Sequence, residues 1–191
     1  DKAYFVSNIS EMPEGDYTYF LSYPKPNSIN GTQVTYSLSS VQSGAYDGKY
    51  DIMIAEPVVA EALTSAKRVE LNTVMRHQMH ALKITIPEKA SNFASKIHSI
   101  EVTFPCDVVG DMTLDVADLN AEPVYTNTPN TITVKRDEGF DVGSDIWVFV
   151  LPGTVSGDVS CKITGFEQRS EVATYPFERE LQAGHVTPIR M

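Results

Sequence analysis

Apolar and polar residues alternate along most of this chain, and that period of two constrains its fold more than any other feature. YTYFLSY (17–23) places three tyrosines and a leucine on one parity, and QVTYSL (33–38) repeats the pattern. Residues two apart on a strand lie on the same face, so this alternation is typical of strands with one buried face. Further stretches of this kind are YDIMIA, IHSIEVTF, MTLDV, TITV, DIWVFVL, DVSCKITGF and HVTPI. Roughly ten or more short strands separated by turns predict an all-β sandwich or barrel.

Three segments refine this prediction. DIWVFVL (145–151) is apolar on both parities, which indicates a central strand buried on both faces, with Trp147 in the core. EPVVAEALTSAKR (56–68) and EKASNFASKI (88–97) space their apolar residues in a rough helical pattern, so we expect one or two short helical turns there. The sequence shows no internal repeat and no convincing linker, and residues 1–191 are therefore expected to form a single β-sandwich domain.

Charge excludes some classes of partner. The chain has 191 residues and a formal net charge of −10. An acidic surface repels phosphate backbones and anionic membranes, so nucleic acid is not expected as a partner. No stretch reaches the length of a transmembrane helix. The sequence begins at Asp1 without a signal peptide, and we expect it to be a processed piece of a longer secreted protein.

Two histidines three residues apart in VMRHQMHALKITI (74–86) raise the question of a metal site. Side chains at this spacing converge on a helix but lie on opposite faces of a strand. Apolar positions are odd before His77 and even after His80, and such a change needs a β-bulge or a tight turn. In addition, Gln78 occupies the position of the glutamate in the zinc-protease motif. The pattern favours a partly buried His77, hydrogen-bonded within a bulge, over a metal site.

The two cysteines, Cys106 and Cys161, are too few for a disulfide scaffold. Each shares its parity with apolar neighbours, so both thiols are expected to face apolar surroundings. Two buried free thiols and a bridge between two strands both fit this pattern. A catalytic thiol needs an electropositive and partly exposed setting, which neither segment provides.

Acidic residues offer the remaining candidate chemistry. Asp47, Asp51 and Glu56 could form a carboxylate pair of the glycosidase type, and DEGFDVGSD (137–145) could bind calcium. The latter stretch lacks the ligand spacing of an EF-hand. Solvated turns and strand edges explain both groups more simply. The sequence thus predicts no catalytic, cofactor-binding or metal-binding residue, and it favours a protein that is not an enzyme.

Five stretches follow one another in an order that is specific to one family. They are YTYFLSYP, YDIMIAEP, VELNTVMRHQMHALKITI, VFVLPGTV and RELQAGHVTPIRM, and they extend over most of the chain. In this order they resemble the recurring strands of the fimbrillin-like (Mfa-like) family of Bacteroidales surface proteins. Two departures are that His80 stands where the family more often has an Ala-rich step, and that the strands leading into the first motif look truncated.

The resemblance implies a transthyretin-like Greek-key β-sandwich, usually the N-terminal one of two such domains. It implies a fimbrial subunit or adhesin that is exported to the outer membrane, with membrane contact only through a lipid anchor outside this chain. The implied partners are other fimbrial subunits, joined by β-strand addition, and surface ligands of the host or of other bacteria. DKAYFVSNIS (1–10), or a groove beside it, is the expected junction, because an incoming strand satisfies the unpaired groups of an edge.

An alternative function is a surface glycan-binding β-sandwich module. Exposed aromatic rings of such a module bind sugars, and Tyr17, Tyr19 and Tyr23 could supply them if their shared face were exposed to solvent. Their regular alternation favours a buried face instead.

Overall fold

The computed structural model describes residues 13–63, 70–88, 93, 96–167 and 169–190, which form seventeen strands and one short 3-10 helix, Gly48–Tyr50. The strands are β1 (Gly15–Tyr19), β2 (Ser22–Tyr23), β3 (Ser28–Asn30), β4 (Gln33–Leu38), β5 (Val41–Gln42), β6 (Met53–Ala55), β7 (Val58–Leu63), β8 (Met75–His77), β9 (His80–Thr85), β10 (Lys96–Thr103), β11 (Gly110–Asp115), β12 (Val124–Thr126), β13 (Thr131–Asp141), β14 (Asp145–Val150), β15 (Gly153–Gly165), β16 (Ser170–Leu181) and β17 (Val186–Arg190). The all-β prediction is confirmed. In the described ranges no helix is long and apolar enough to cross a membrane.

The strands form several sheets in a sandwich-like arrangement. The largest sheet has the order β16-β15-β10-β13-β5, and a four-stranded sheet has the order β12-β11-β4-β3. Two three-stranded sheets, β14-β9-β17 and β2-β6-β8, and the pair β1-β7 complete the set. Most of the pairings are antiparallel, whereas β13 with β5 and β17 with β9 are parallel.

One hydrophobic core joins the larger sheets. It includes Tyr36 from β4, Ile100 from β10, Val134 from β13 and Val148 from β14, all of which are buried. Leu82 in β9 is completely buried. The neighbouring Lys83 forms an ion pair with Asp145 at a partly exposed position. The alternation of the sequence therefore predicts the inward and outward positions of β9 correctly.

The strand β14 departs from the prediction of a central strand. Among the described strands it pairs only with β9, so it lies at the edge of its sheet. Ile146, Val148 and Phe149 are nevertheless buried, and both faces of the strand carry buried residues. Trp147 is only partly buried, and it packs against the outside of the core rather than within it. Burial on both faces thus does not require a second strand neighbour.

The strand Val58–Leu63 takes the place of one predicted helical turn. It contains two adjacent valines and pairs antiparallel with β1, and this pairing together with the β-branched side chains favours the extended conformation. Residues 64–68 of that prediction lie outside the described residues. In the second predicted helical segment, 88–97, Glu88 has 3-10 conformation and Lys96 already belongs to β10, while residues 89–92 and 94–95 lie outside the described residues.

The hairpin of β15 and β16 contains the longest strand pairing in the described structure. It runs from Gly153 opposite Leu181 to Thr164 opposite Ser170 without a register shift. Most of β16 is exposed or partly exposed, and Leu181 is buried. Because neither face of β16 is well covered, its sequence lacks the alternation that identified the other strands.

Candidate functional site

The two histidines lie in different sheets and make different contacts. His77 ends β8 at an exposed position, and its Nδ1 donates to Asp51 Oδ1 at 2.6 Å. His80 begins β9 and is only 1% exposed. The change of parity therefore marks a passage between two strands, and the buried histidine is His80. The prediction that His77 is the partly buried one, held in a bulge, is wrong.

His80 is held at both ring nitrogens. Its Nδ1 donates to the carbonyl oxygen of Gln182 at 2.8 Å, and its Nε2 accepts from the hydroxyl of Thr187 at 3.0 Å. Burial lowers the pKa of His80, and the nearby His185 lowers it further, although the bond to Gln182 opposes this. A neutral ring with both nitrogens occupied fixes β17 beside β9. Its role is structural, and it is not available as a metal ligand.

Both cysteines are free thiols. Cys161 in β15 is buried opposite Val102 of β10, whereas Cys106 lies beyond the end of β10 and is partly buried. Burial raises the pKa of the Cys161 thiol to about 12. It also raises the pKa of Cys106, with a further contribution from Asp107. Of the two hypotheses for the cysteines, the structure has the free thiols, with Cys161 buried as predicted and Cys106 only partly buried, and a raised pKa makes both poor nucleophiles.

The acidic residues of 47–56 support the local structure. Asp47 caps the 3-10 helix by accepting from the backbone N–H of Lys49 at 3.0 Å. Asp51 binds His77, and Glu56 forms an ion pair with Arg76. A carboxylate already engaged by a cation or a turn does not form a free catalytic pair.

The charges of 137–145 are also engaged locally. Asp141 forms an ion pair with Lys96 at 3.5 Å, and Glu138 forms one with Arg136 at 3.7 Å. Throughout the described ranges, no three His, Cys, Asp or Glu side chains are grouped so that they could hold a metal ion.

The three tyrosines considered for glycan binding do not share one open face. Tyr17 and Tyr19 are partly buried in β1, whereas Tyr23 in β2 is 39% exposed. The hydroxyl of Tyr17 donates to the carbonyl oxygen of Pro13 at 2.6 Å. These rings therefore do not form a continuous platform.

The structure contains a groove that the sequence did not indicate, which we call the Lys25–Lys49 groove. It has a volume of about 320 Å³ and lies where the end of β4 meets the 3-10 helix and the loop before β3. Its lining includes four buried side chains, Tyr36, Leu38, Tyr50 and Ile52. The other lining residues are Pro24, Lys25, Asn27, Ser37, Ser39 and Lys49.

The lysines of the Lys25–Lys49 groove are held differently. The Nζ of Lys49 lies 2.8 Å from Asp47 Oδ2 and 4.7 Å from the centre of the Tyr50 ring. The hydrogen bond to Asp47 raises the pKa of Lys49. Lys25 is exposed and forms no ion pair with a residue that the structure describes. The groove therefore presents one fixed and one uncommitted cation.

Sequence reasoning missed the groove because its parts are distant along the chain. The alternation of QVTYSL predicts the burial of Tyr36 and Leu38, but it does not indicate what lies beside them. No local pattern connects Lys25 with Lys49. Only the pairing of the strands brings these segments together.

Comparisons with known proteins give similarity at the level of structure. No family model matches the sequence, and no curated protein matches it significantly. The fold is similar to the crystal structure of a "putative cell adhesion protein" from Bacteroides uniformis, with a TM-score of 0.61, 17% identity, and coverage of 93% of this chain and 68% of that one. A protein of the same description from Bacteroides ovatus matches with a TM-score of 0.55, 17% identity, and coverage of 100% and 67%. At this identity the similarity establishes a shared fold.

Proposed function

We propose that this chain is a β-sandwich domain of a cell-surface adhesin or fimbrial subunit and is not an enzyme. The observation that carries the proposal is the fold similarity, which covers 93% and 100% of the chain in two Bacteroides proteins described as candidates for cell adhesion. The five ordered motifs resemble a surface family of the same bacterial group, the fimbrillin-like proteins. The resemblance of the motifs and the similarity of the fold both support this proposal.

The engagement of the candidate catalytic groups supports a role without catalysis. Asp51 and His77 are hydrogen-bonded to each other, and His80 is fixed in the core. The Cys161 thiol is buried with a strongly raised pKa. Nucleophiles and general bases of enzymes need access to the substrate, and His80 and Cys161 are buried in the core.

The finer identity belongs to the same proposal. We place the chain in the fimbrillin-like (Mfa-like) family, with a transthyretin-like Greek-key topology, as the N-terminal domain of a longer lipoprotein at the outer membrane. The Leu-x-x-Gly segment, with Leu181 and Gly184 leading into β17, resembles the strand that closes the family's first domain. The two structural neighbours are longer than this chain, which covers 68% and 67% of their lengths.

Adhesion is tested directly with beads that carry the purified chain. Coated beads should attach to cultured epithelial cells or to bacterial cells in larger numbers than beads coated with a folded β-sandwich of similar size and net charge. Prior incubation of the cells with soluble chain should reduce the attachment. Equal attachment of the two kinds of bead to every cell type would refute the adhesin proposal.

Assembly by β-strand addition is the proposed mode of contact between subunits. Residues 1–10, the expected junction, lie outside the described residues. The test compares the chain with a version that lacks residues 1–10, and adds the preceding segment of the precursor as a peptide. Binding of the peptide with a rise in melting temperature supports strand addition. If the peptide fails to bind and neither form self-associates at high concentration, this mode of assembly is wrong.

A further inference from the structure

We propose that the Lys25–Lys49 groove binds a carboxylated sugar, such as a uronic acid or sialic acid unit of a surface glycan. The inference rests on the proposed adhesive function and names the ligand class for it. It moves the glycan-binding surface from Tyr17, Tyr19 and Tyr23 to a concave site near the end of β4.

The size and the floor of the groove fit a single sugar unit. Its volume of about 320 Å³ is at the small end of the range of ligand pockets, roughly 300–1,000 Å³. Two tyrosines, Tyr36 and Tyr50, contribute to the lining beside Leu38 and Ile52. Tyr36 is 3% and Tyr50 is 9% exposed, so the apolar C–H face of a pyranose ring would contact only the small exposed part of each side chain.

The polar side chains that line the groove include hydrogen-bond donors without a partner among the described residues. Asn27 Oδ1 accepts from the backbone N–H of Ser37 at 2.8 Å, while the amide NH₂ of Asn27 has no partner among the described residues. The hydroxyl oxygen of Ser39 accepts from the backbone N–H of Val41 at 3.0 Å, so its proton is available. The hydroxyl of Ser37 donates to Asp111, which leaves its oxygen as an acceptor. A rim rich in donors matches the hydroxyl and carboxylate oxygens of an acidic sugar.

Charge selects an acidic sugar over a neutral one. The chain carries a net charge of −10, yet this groove is lined by two lysines and by no carboxylate. Lys25 is free of ion pairs with the described residues, and Lys49 is fixed over Tyr50. A lysine ammonium is a compact point charge with three donors, which suits a carboxylate that approaches from solvent. Lys25 is thus the uncompensated cation of the groove, whereas the charge of Lys49 is shared with Asp47.

The decisive test measures calorimetric binding of trigalacturonic acid and of its methyl ester, in which the carboxylates are neutralised. The wild-type chain should bind the acid at least about tenfold more tightly than the ester, because charge-assisted hydrogen bonds are worth roughly 1.5–3 kcal/mol and 1.4 kcal/mol is tenfold. The pair 3′-sialyllactose and lactose repeats the comparison with a second carboxylated sugar. The difference should shrink as salt is added.

Two variants localise the binding. Lys25→Ala/Lys49→Ala should weaken binding of the acid at least about tenfold. Lys25→Glu, a single substitution at an exposed position, should also weaken binding, and it tests the groove even if the double variant fails to fold. Lys162→Ala is the matched control, since Lys162 is an exposed lysine of β15 that does not line the groove. Its affinity should equal that of the wild type. The proposal is overturned if neither acid binds, if acid and ester bind equally, or if the groove variants and Lys162→Ala behave alike.

The result separates this inference from the adhesin proposal. Beads that attach to cells equally well with wild type and with Lys25→Ala/Lys49→Ala would support adhesion and refute the role of the groove in it. Binding of the acidic sugars without attachment of the beads would support the groove and refute adhesion.

Discussion

Two edge strands of this molecule, β14 and β16, show opposite ways of completing a β-sheet. In the described structure each pairs with one strand only. The other side of β14 is covered by loops and by one side chain. Trp147 N donates to Gly44 O at 2.8 Å, and Gln42 Oε1 accepts from Phe149 N at 2.9 Å. Gln42 Nε2 also donates to Phe149 O at 2.8 Å, so a single buried amide substitutes for a neighbouring residue of a strand.

The strand β16 has no comparable cover among the described residues. Its exposed positions include Pro176, Glu178, Arg179 and Glu180. Proline removes a donor from a sheet edge, and charges disfavour pairing with another chain. A buried edge must satisfy every backbone group within the protein, whereas an exposed edge uses water and needs protection only from other chains. The contrast predicts that substitutions near β14 change stability and that substitutions on β16 change association.

The largest expected effect is in β9, the strand between β14 and β17. Leu82→Asp should destabilise the fold by about 4 kcal/mol or more, because it buries a charge at a position without solvent access. Lys83→Asp should cost about 1 kcal/mol or less, since it replaces the partner of Asp145 in a partly exposed ion pair. Urea unfolding of both variants measures the difference. Equal losses of stability would show that the register of β9 is wrong.

The cover of β14 is tested at Gln42. Gln42→Leu fills the buried site with a side chain of similar size that cannot form hydrogen bonds. The backbone N–H and C=O of Phe149 then lose their partner, and each unsatisfied group costs roughly 1–3 kcal/mol. We expect a total loss of about 2–4 kcal/mol in urea unfolding. Gln33→Leu on the exposed side of β4 is the control and should change stability by less than about 0.5 kcal/mol. If the two variants unfold alike, the side chain of Gln42 does not complete the edge.

The attachment of β17 to the same sheet should depend on pH. Burial lowers the pKa of His80 below the ordinary value of 6.5, so the unfolded chain binds a proton more readily than the folded one. Stability is then complete above about pH 6.5 and falls as the pH decreases from there toward the pKa of the folded state. Most carboxylates are still ionised in this pH range, so a loss of stability there is attributed to the protonation of His80.

Urea unfolding at about pH 7.5 and pH 5.5 measures the effect of His80. His80→Gln should be less stable than the wild type at pH 7.5 but should lose less stability on acidification. His185→Gln, at an exposed position nearby, controls for the smaller contribution of that residue. Parallel losses in wild type and His80→Gln would mean that another group causes the pH dependence.

The sequence predicted those parts of the fold in which one face is covered. QVTYSL coincides with β4, and Leu82 and Lys83 lie as their parity requires. The same reasoning failed for β16, since only Phe177 and Leu181 of this strand pack in or against the core and most of its other positions are exposed or partly exposed. It also failed for Val58–Leu63, where pairing with β1 outweighs a weak helical spacing.

Side-chain partners distant in sequence were beyond prediction for a different reason. Parity showed that the chain changes faces between His77 and His80, but not which ring enters the core. Its partners there are Thr187 in β17 and Gln182 in the segment before that strand. Likewise, Gln42 is a polar residue whose partner, Phe149, lies 107 positions away. The Lys25–Lys49 groove depends on such encounters, so composition and spacing contain no signal for it.

The smallest expected effect on stability is at the open edge of β16. Glu178→Thr/Glu180→Thr removes two charges and raises strand propensity, so unfolding should change by less than about 0.5 kcal/mol while self-association increases. Glu101→Thr/Glu122→Thr changes net charge equally, but Glu101 lies in β10, which is paired on both sides, and Glu122 is in a loop. Sedimentation velocity over a range of concentrations should find oligomers only in the β16 variant. Two monomeric variants would show that Pro176 or another feature protects this edge without the charges.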